Sequence, residues 1–337
     1  MSSSLYDADL LVLGGGPAGS AAAITAVDAG LTAIIIEREE FPRPAPGESV
    51  HPGIQPLLRQ LGVETEVLDA GFLRHPGYLV RAAASEQYVP FGEDADGPWL
   101  GFQLWRPDFD AILLVRARAV GVSVMQPVTA TGLIFDHGKI AGVTTSQGSL
   151  RARHVIDATG RWRAVARWLN LAWQRHGPVR RAWYGYASGR CADRDDIPLF
   201  AADVEGWTWI ARVRADTFAW TRLNFDGTRP PHDWLPPELV KLEPVGTTHG
   251  ADVTSEVVRQ TAGAGYFLVG DAAAVLDPAA GHGLLKALMS GIQSGHLLSN
   301  MIRGAVPAEA AADHYSSWVH NWFQHDIAEL NARYARF

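Results

Sequence analysis

Three glycines stand where a short apolar run meets a stretch of small residues, and this junction constrains the fold more than any other part of the chain. Ala8-Asp-Leu-Leu-Val-Leu13 reads as a buried strand. Gly14, Gly16 and Gly19 follow in the spacing Gly-x-Gly-x-x-Gly, and Ala18 to Ala29 is helix-compatible with Gly30 as its stop. Thr32 to Ile36 supplies a second, β-branched strand, so roughly thirty residues form a β-α-β unit. In such a unit the first glycine permits a tight turn and the second lets the backbone approach a pyrophosphate. The third lets the helix pack closely on the sheet. Pro17 and Ala18 complete the turn, and the helix start offers free N–H groups and partial positive charge to phosphates. Glu37 ends the second strand, placed to accept hydrogen bonds from ribose hydroxyls, with Arg38 beside it. The pattern predicts a dinucleotide site without saying which dinucleotide.

The rest of the chain sets the frame around that unit. With 337 residues it is too long for one simple core, and 47% hydrophobic with 19% charged residues suits a folded globular protein. A net charge of −7 argues against general attraction to nucleic acid. A single cysteine, Cys191, excludes an internal disulfide or a multi-cysteine metal site and suits a cytoplasmic setting. No apolar run reaches the roughly 18 residues an integral membrane span needs, and no signal peptide is visible. Helical patterns are expected at 54–70, 108–121 and 281–303, with one or two closing helices at 308–335. Short strands are expected around the turn His137-Gly138, a buried strand at 153–158, and three antiparallel strands within 182–223.

Further segments carry chemistry. Gly265-Tyr-Phe-Leu-Val-Gly270-Asp271 is a strand ending in Gly-Asp at a turn. It runs on through Asp277-Pro278-Ala-Ala-Gly281-His282-Gly283-Leu284 into a helix rich in Ala, Leu and Ser. Asp271 suits a ribityl hydroxyl, and the helix start near Gly283 suits a flavin carbonyl that gains charge on reduction. This stretch resembles the second FAD motif of the class A flavoprotein monooxygenases and their relatives, the flavin-dependent halogenases and geranylgeranyl reductases. Trp105-Arg106-Pro-Asp-Phe109-Asp110 is similar to that family's Arg-x-x-Phe-Asp element, whose Arg reaches the flavin. Val155-Ile-Asp157-Ala-Thr-Gly160-Arg161 resembles the strand that closes under the cofactor. Pro46-Gly47-Glu48-Ser49 resembles the loop that passes the isoalloxazine in the halogenase and reductase branch. The resemblance covers 8–60, 104–168 and 264–303.

The resemblance implies FAD as cofactor. Glu48, Ser49, Arg106, Asp157 and Gly160 then join the glycine turn, Glu37 and Arg38 as expected contacts, with Gly270, Asp271, Pro278, Gly281, Gly283 and Leu284 on the later segment. The fold class it implies is α/β, with a Rossmann-like FAD-binding domain, three-layered around a parallel sheet, and an inserted β-sheet-rich substrate lobe. The FAD-binding domain is discontinuous, from 1–75, 101–170 and 260–337 with C-terminal helices, and the lobe comes from 76–100 and 171–259. One departure concerns electrons. Hydroxylases that dock NADPH directly carry an Asp-Gly pair where this chain reads Asp157-Ala-Thr-Gly160. NAD(P)H and a partner flavin reductase both stay open as the electron source.

The same resemblance frames the reaction. Flavin halogenases need a lysine that engages hypohalous acid and a Trp-x-Trp-x-Ile-Pro element. The only lysines here are Lys139, Lys241 and Lys286, none near the early loop, and Trp207-Thr-Trp209-Ile210-Ala211 lacks the proline. The expected activity is therefore monooxygenation of an electron-rich aromatic ring through a flavin C4a-hydroperoxide. His51 and His282 are the candidate catalytic bases. Within the superfamily the late segment looks nearest the flavoproteins that mature tryptophan-derived quinone cofactors. The substrate is then an aromatic small molecule or a protein-borne tryptophan. A geranylgeranyl-type alkene reductase and a non-catalytic flavin-binding partner protein are the alternatives. Trp318, Trp322, Phe323, Tyr334 and Phe337 read as a capping helix, or else as a docking surface.

Overall fold

The computed structural model describes residues 5–82, 85–191 and 197–335. Its central sheet places Ser123–Met125, Ala33–Ile36, Ala8–Leu13, Gly148–Asp157 and Tyr266–Leu268 side by side, all parallel. Leu11, Val12, Ile35, Val155 and Ile156 are wholly buried. A parallel sheet covered on both faces must be apolar throughout, which is why these segments read as runs rather than alternations. The helix Pro17–Asp28 packs along Gly283–Ile302 and against Arg106–Ala119. This is the expected Rossmann-like α/β fold with additional antiparallel strands. Gly148–Asp157 is longer than the strand expected at 153–158. Its first half turns away from the parallel set to pair with Lys139–Thr145, which pairs in turn with Ala130–Asp136.

A second, seven-stranded sheet runs in the order Glu243–Asp252, Arg181–Ser188, Thr217–Asn224, Gly206–Arg214, Leu199–Ala202, Gly77–Ala82, Ser85–Pro90. Four of its strands fall within 181–224 where three were expected. The extra one, Leu199–Ala202, runs parallel to Gly77–Ala82. That pairing joins distant parts of the chain, and residue alternation within one segment carries no information about so remote a partner. Tyr184, Thr221, Trp209 and Phe200 stand in cross-strand register on one face. The opposite side holds a separate core, where Trp220 meets Trp234 edge-on at 5.1 Å.

Two expected helices differ in extent. The 54–70 pattern resolves into Gln55–Gln60 and Glu64–Asp69, interrupted at Gly62. The closing segment is one helix, Ala308–Tyr334. Its Tyr315, Val319 and Phe323 are wholly buried against the main core, with Trp318 and Trp322 partly so. This is the capping arrangement, while Phe337 lies outside the described residues.

Candidate active site

All five parallel strands end at one cavity of about 1030 Å³. Leu13, Ile36, Val128, Ala158 and Val269, at or just past those strand ends, all border it. A crevice outside the carboxyl ends of such a sheet is where this class of fold binds ligands. The glycine turn is tightly specified. Gly14 sits at φ +103°, and a Cβ there would lie 2.4 Å from the Ala158 carbonyl oxygen. A Cβ on Gly19 would lie 2.0 Å from the Gly14 carbonyl oxygen. Gly19 is therefore a packing residue behind the turn and does not border the cavity, contrary to its expected role as a contact. Gly14, Gly16, Pro17 and Ala18 do border it. The helix start at Pro17 has no side-chain cap and no acidic residue in its first turn, so its N–H groups are left for a ligand anion.

Glu37 is buried at the adjoining strand end. Its Oε2 accepts from the Gly15 N–H at 2.7 Å and its Oε1 from the Glu39 N–H at 2.9 Å, each oxygen keeping one further acceptor site. Arg38 borders the same corner. Buried polar atoms here have no partner among the described residues, including Arg43 Nε, Ser49 Oγ and one guanidinium nitrogen of Arg161. Unpartnered polar atoms are costly unless something completes them. Beside the late segment, Gly281 and Gly283 face open space where a side chain would project. A polar, phosphate-bearing group with a flat ring fits these features. FAD would rest its pyrophosphate at the glycine turn and its ring beside the helix start at Gly283.

The loop carrying Glu48 and Ser49 is held from both sides. Arg106 makes a two-pronged ion pair with Asp110, at 2.7 and 3.0 Å, and reaches Glu48 at 2.5 Å. Enclosure opposes the Arg106 charge, but Asp110 and Glu48 hold it above its ordinary value. Enclosure likewise pushes the Glu48 carboxyl up, against the pull of Arg106. From the second sheet, the Tyr186 hydroxyl donates to the Ala45 carbonyl at 3.0 Å and accepts from the Gly47 N–H at 3.2 Å. Asp271 opens into the cavity, and enclosure raises its carboxyl despite Arg161, Arg163 and Arg106. Gly160, Gly270, Pro278 and Leu284 also border the cavity.

Asp157 does not. Its carboxylate is wholly buried and accepts from the Thr159 N–H, the Thr159 hydroxyl and the Val165 N–H at 2.9, 2.6 and 2.7 Å. These bonds go into shaping the turn after the strand, so it supports the cavity wall from behind.

The two histidines part company. His51 borders the cavity, but its Nδ1 accepts from the Gly53 N–H at 3.0 Å, capping the turn at Pro52–Ile54. A neutral imidazole has one basic nitrogen, and here that nitrogen is already engaged. The expectation of His51 as a base therefore fails on geometry. Neither ring nitrogen of His282 is hydrogen-bonded among the described residues. Enclosure in the cavity lowers its pKa, so it is neutral and able to accept a proton at physiological pH.

Beyond the Gly-His-Gly turn the cavity is walled by aromatic side chains, Tyr78, Phe91, Phe200, Trp207, Trp209 and Tyr184. The sequence identified Trp207 and Trp209 as a motif, and Trp207 stacks on Phe200 at 5.6 Å. Tyr78, Phe91, Phe200, Arg43 and the segment Val128–Thr131 were not foreseen. Val128–Thr131 reaches the cavity because the Val128 N–H donates to the Glu37 carbonyl at 2.7 Å, a contact fixed by strand order alone.

Comparison with known proteins adds four findings. A family model described as an FAD binding domain matches residues 7–218. A flavin-dependent halogenase of Armillaria mellea is 27% identical over 92% of this chain and 71% of its own. A tryptophan 2-halogenase of Chondromyces crocatus is likewise 27% identical, over 96% of this chain and 68% of its own. The solved structure of the flavin-dependent brominase Bmp2 superposes with a TM-score of 0.83 at 24% identity, over 93% of this chain and 83% of that one. These relatives are halogenases, which corrects the expected nearness to flavoproteins that mature quinone cofactors.

Proposed function

The chain belongs to the FAD-binding domain family, within the flavoprotein monooxygenase and halogenase superfamily, and from this premise we propose that it hydroxylates an electron-rich aromatic substrate. It is an FAD-dependent oxidoreductase, and on this reading the flavin, when bound and reduced, would supply the chemistry that activates O2. The observation that carries the reading is the composition of the cavity, which has an aromatic wall, a neutral histidine and no lysine along its lining. Lys286 is committed elsewhere, 3.3 Å from Asp326 and 4.8 Å from the Trp322 ring centroid. Among the described residues, no lysine ammonium borders the cavity to engage hypohalous acid.

The protein's own contributions are placement and proton transfer. The wall of Tyr184, Trp209 and Phe200 offers a flat apolar surface that orients a ring and excludes water from it. His282, at the Gly-His-Gly turn, takes the proton that the substrate loses as its ring is oxidised. Its lowered pKa means that activity is lost in acid at a lower pH than an ordinary imidazole would set. Halogenation is the second reading, favoured by the halogenase relatives and by the retained Trp207 and Trp209. A protein-borne tryptophan is a third, narrower one, supported only by the likeness of the late segment.

The test is halide dependence. With a flavin reductase supplying reduced FAD and a panel of phenols and indoles, product formation is expected to be unchanged when chloride or bromide is added. Turnover that requires halide would replace hydroxylation with halogenation.

A further inference from the structure

Among the described residues five arginines line the cavity, and their pairing separates them into two groups. Arg38 is matched by Glu39 at 3.2 Å, Arg106 by Asp110 and Glu48, and Arg161 by Asp252 at 3.1 Å. Arg43 and Arg333 form no ion pair among the described residues. Arg43 stands beside Gly16, where the cofactor's pyrophosphate supplies an anion. Arg333 stands elsewhere in the cavity, beside the aromatic wall and the Gly-His-Gly turn.

Arg333 is held firmly in place. One of its terminal nitrogens donates to the Ala279 carbonyl at 2.5 Å, and its guanidinium carbon lies 6.0 Å from the Phe200 ring centroid. The next residue secures the same helical turn. The Tyr334 hydroxyl donates to Asp277 Oδ2 at 2.6 Å and accepts from Trp207 Nε1 at 2.9 Å. The acidic groups on the outer side of Arg333 are Asp326 and Glu329, bordering a small cleft. Asp326 is paired with Lys286 at 3.3 Å, and Glu329 lies 3.8 Å from His325. Arg333 thus keeps most of its five N–H donors for another partner. A half-enclosed guanidinium without a counter-ion is unfavourable, and a carboxylate is its best-matched planar partner.

We propose that Arg333 anchors a substrate carboxylate, so that the substrate class is an aromatic carboxylic acid. Its ring lies against Phe200 and Trp209 while its carboxylate sits on Arg333. The inference rests on the reading of this cavity as an aromatic oxidation site and narrows it.

The test reads binding rather than turnover, so it can fail while hydroxylation stands. Indole-3-acetate, phenylacetate and 4-hydroxybenzoate, each against its primary amide, are titrated into the FAD-loaded protein by calorimetry. At least one acid is expected to bind about 10- to 100-fold tighter than its amide. Arg333→Gln should abolish that preference while FAD content and Tm stay near wild type, and Arg333→Lys should keep part of it. Arg43→Gln should do the reverse, weakening FAD retention and leaving the acid preference of protein saturated with FAD intact. The proposal is overturned if no acid outbinds its amide, if Arg333→Gln keeps the preference, or if Arg333→Gln folds but sheds FAD. Should Arg333→Gln fail to fold, an Arg333→Lys protein with wild-type FAD content and no weakening of the acid preference would also overturn it.

Discussion

Gly19→Ala is expected to cost about 3 kcal/mol or more and to abolish FAD retention. The added methyl would sit 2.0 Å from the Gly14 carbonyl oxygen and 3.0 Å from the Ala158 Cβ. The first of these is backbone, in a turn that Gly14 already holds at φ +103°. No rotamer change relieves the overlap, so the helix must lift from the sheet. Lifting it displaces the uncapped N–H groups that face the cavity. Gly16→Ala is the informative contrast. Its Cβ would meet only the end of the Arg43 side chain, at 3.2 Å, and that side chain can swing away. Gly16→Ala should therefore keep a near-wild-type Tm when FAD-free and still hold FAD weakly. Thermal unfolding of both FAD-free variants, with flavin absorbance after gel filtration, separates the two effects. A Gly19→Ala protein with unchanged Tm would show that the turn is looser than described.

Arg106→Gln is expected to lose about 3–5 kcal/mol at neutral pH, because it strands the wholly buried Asp110 carboxylate and the enclosed Glu48. The loss depends on pH in a definite direction. Enclosure raises Glu48 in the folded protein and Arg106 pulls it back down. Without the arginine the folded-state pKa rises further. A group raised on folding contributes stability below its unfolded value, and that stability is lost as pH rises through the folded value. The variant should approach wild-type stability in acid, where Glu48 is protonated, and fall away from it toward neutrality. Melting curves of both proteins between about pH 4 and 8 check this. Parallel curves would mean that the Arg106 cluster is not electrostatically coupled as its geometry implies.

Much of the cofactor half was legible in the sequence, because its contacts are local to motifs. The glycine spacing, Glu37 at a strand end, and the Gly270-Asp271 turn each place backbone or side chain within a few residues of a strand terminus. Asp157 misled for the same reason. It occupies the motif position, yet its carboxylate faces Thr159 and Val165, and only the turn geometry reveals that direction. His51 was misread because the hydrogen bond from the Gly53 N–H cannot be seen in residue type. The substrate half was far less readable. Its wall joins Tyr78, Phe200, Trp209 and Tyr184 through strand pairings between distant segments, including a parallel one. Arg333 arrives on the last helix, whose own pattern suggested capping or docking and not a place in the cavity.

Under the proposed function, oxygen and not halogen is transferred from this cavity to an aromatic ring. Mass spectrometry of the product formed from reduced FAD, isotopically heavy O2 and ordinary water, with bromide present, tests it most directly. One heavy oxygen atom incorporated per product molecule, with no bromine, is the predicted result. A brominated product, or an oxygen atom drawn from water, would contradict it.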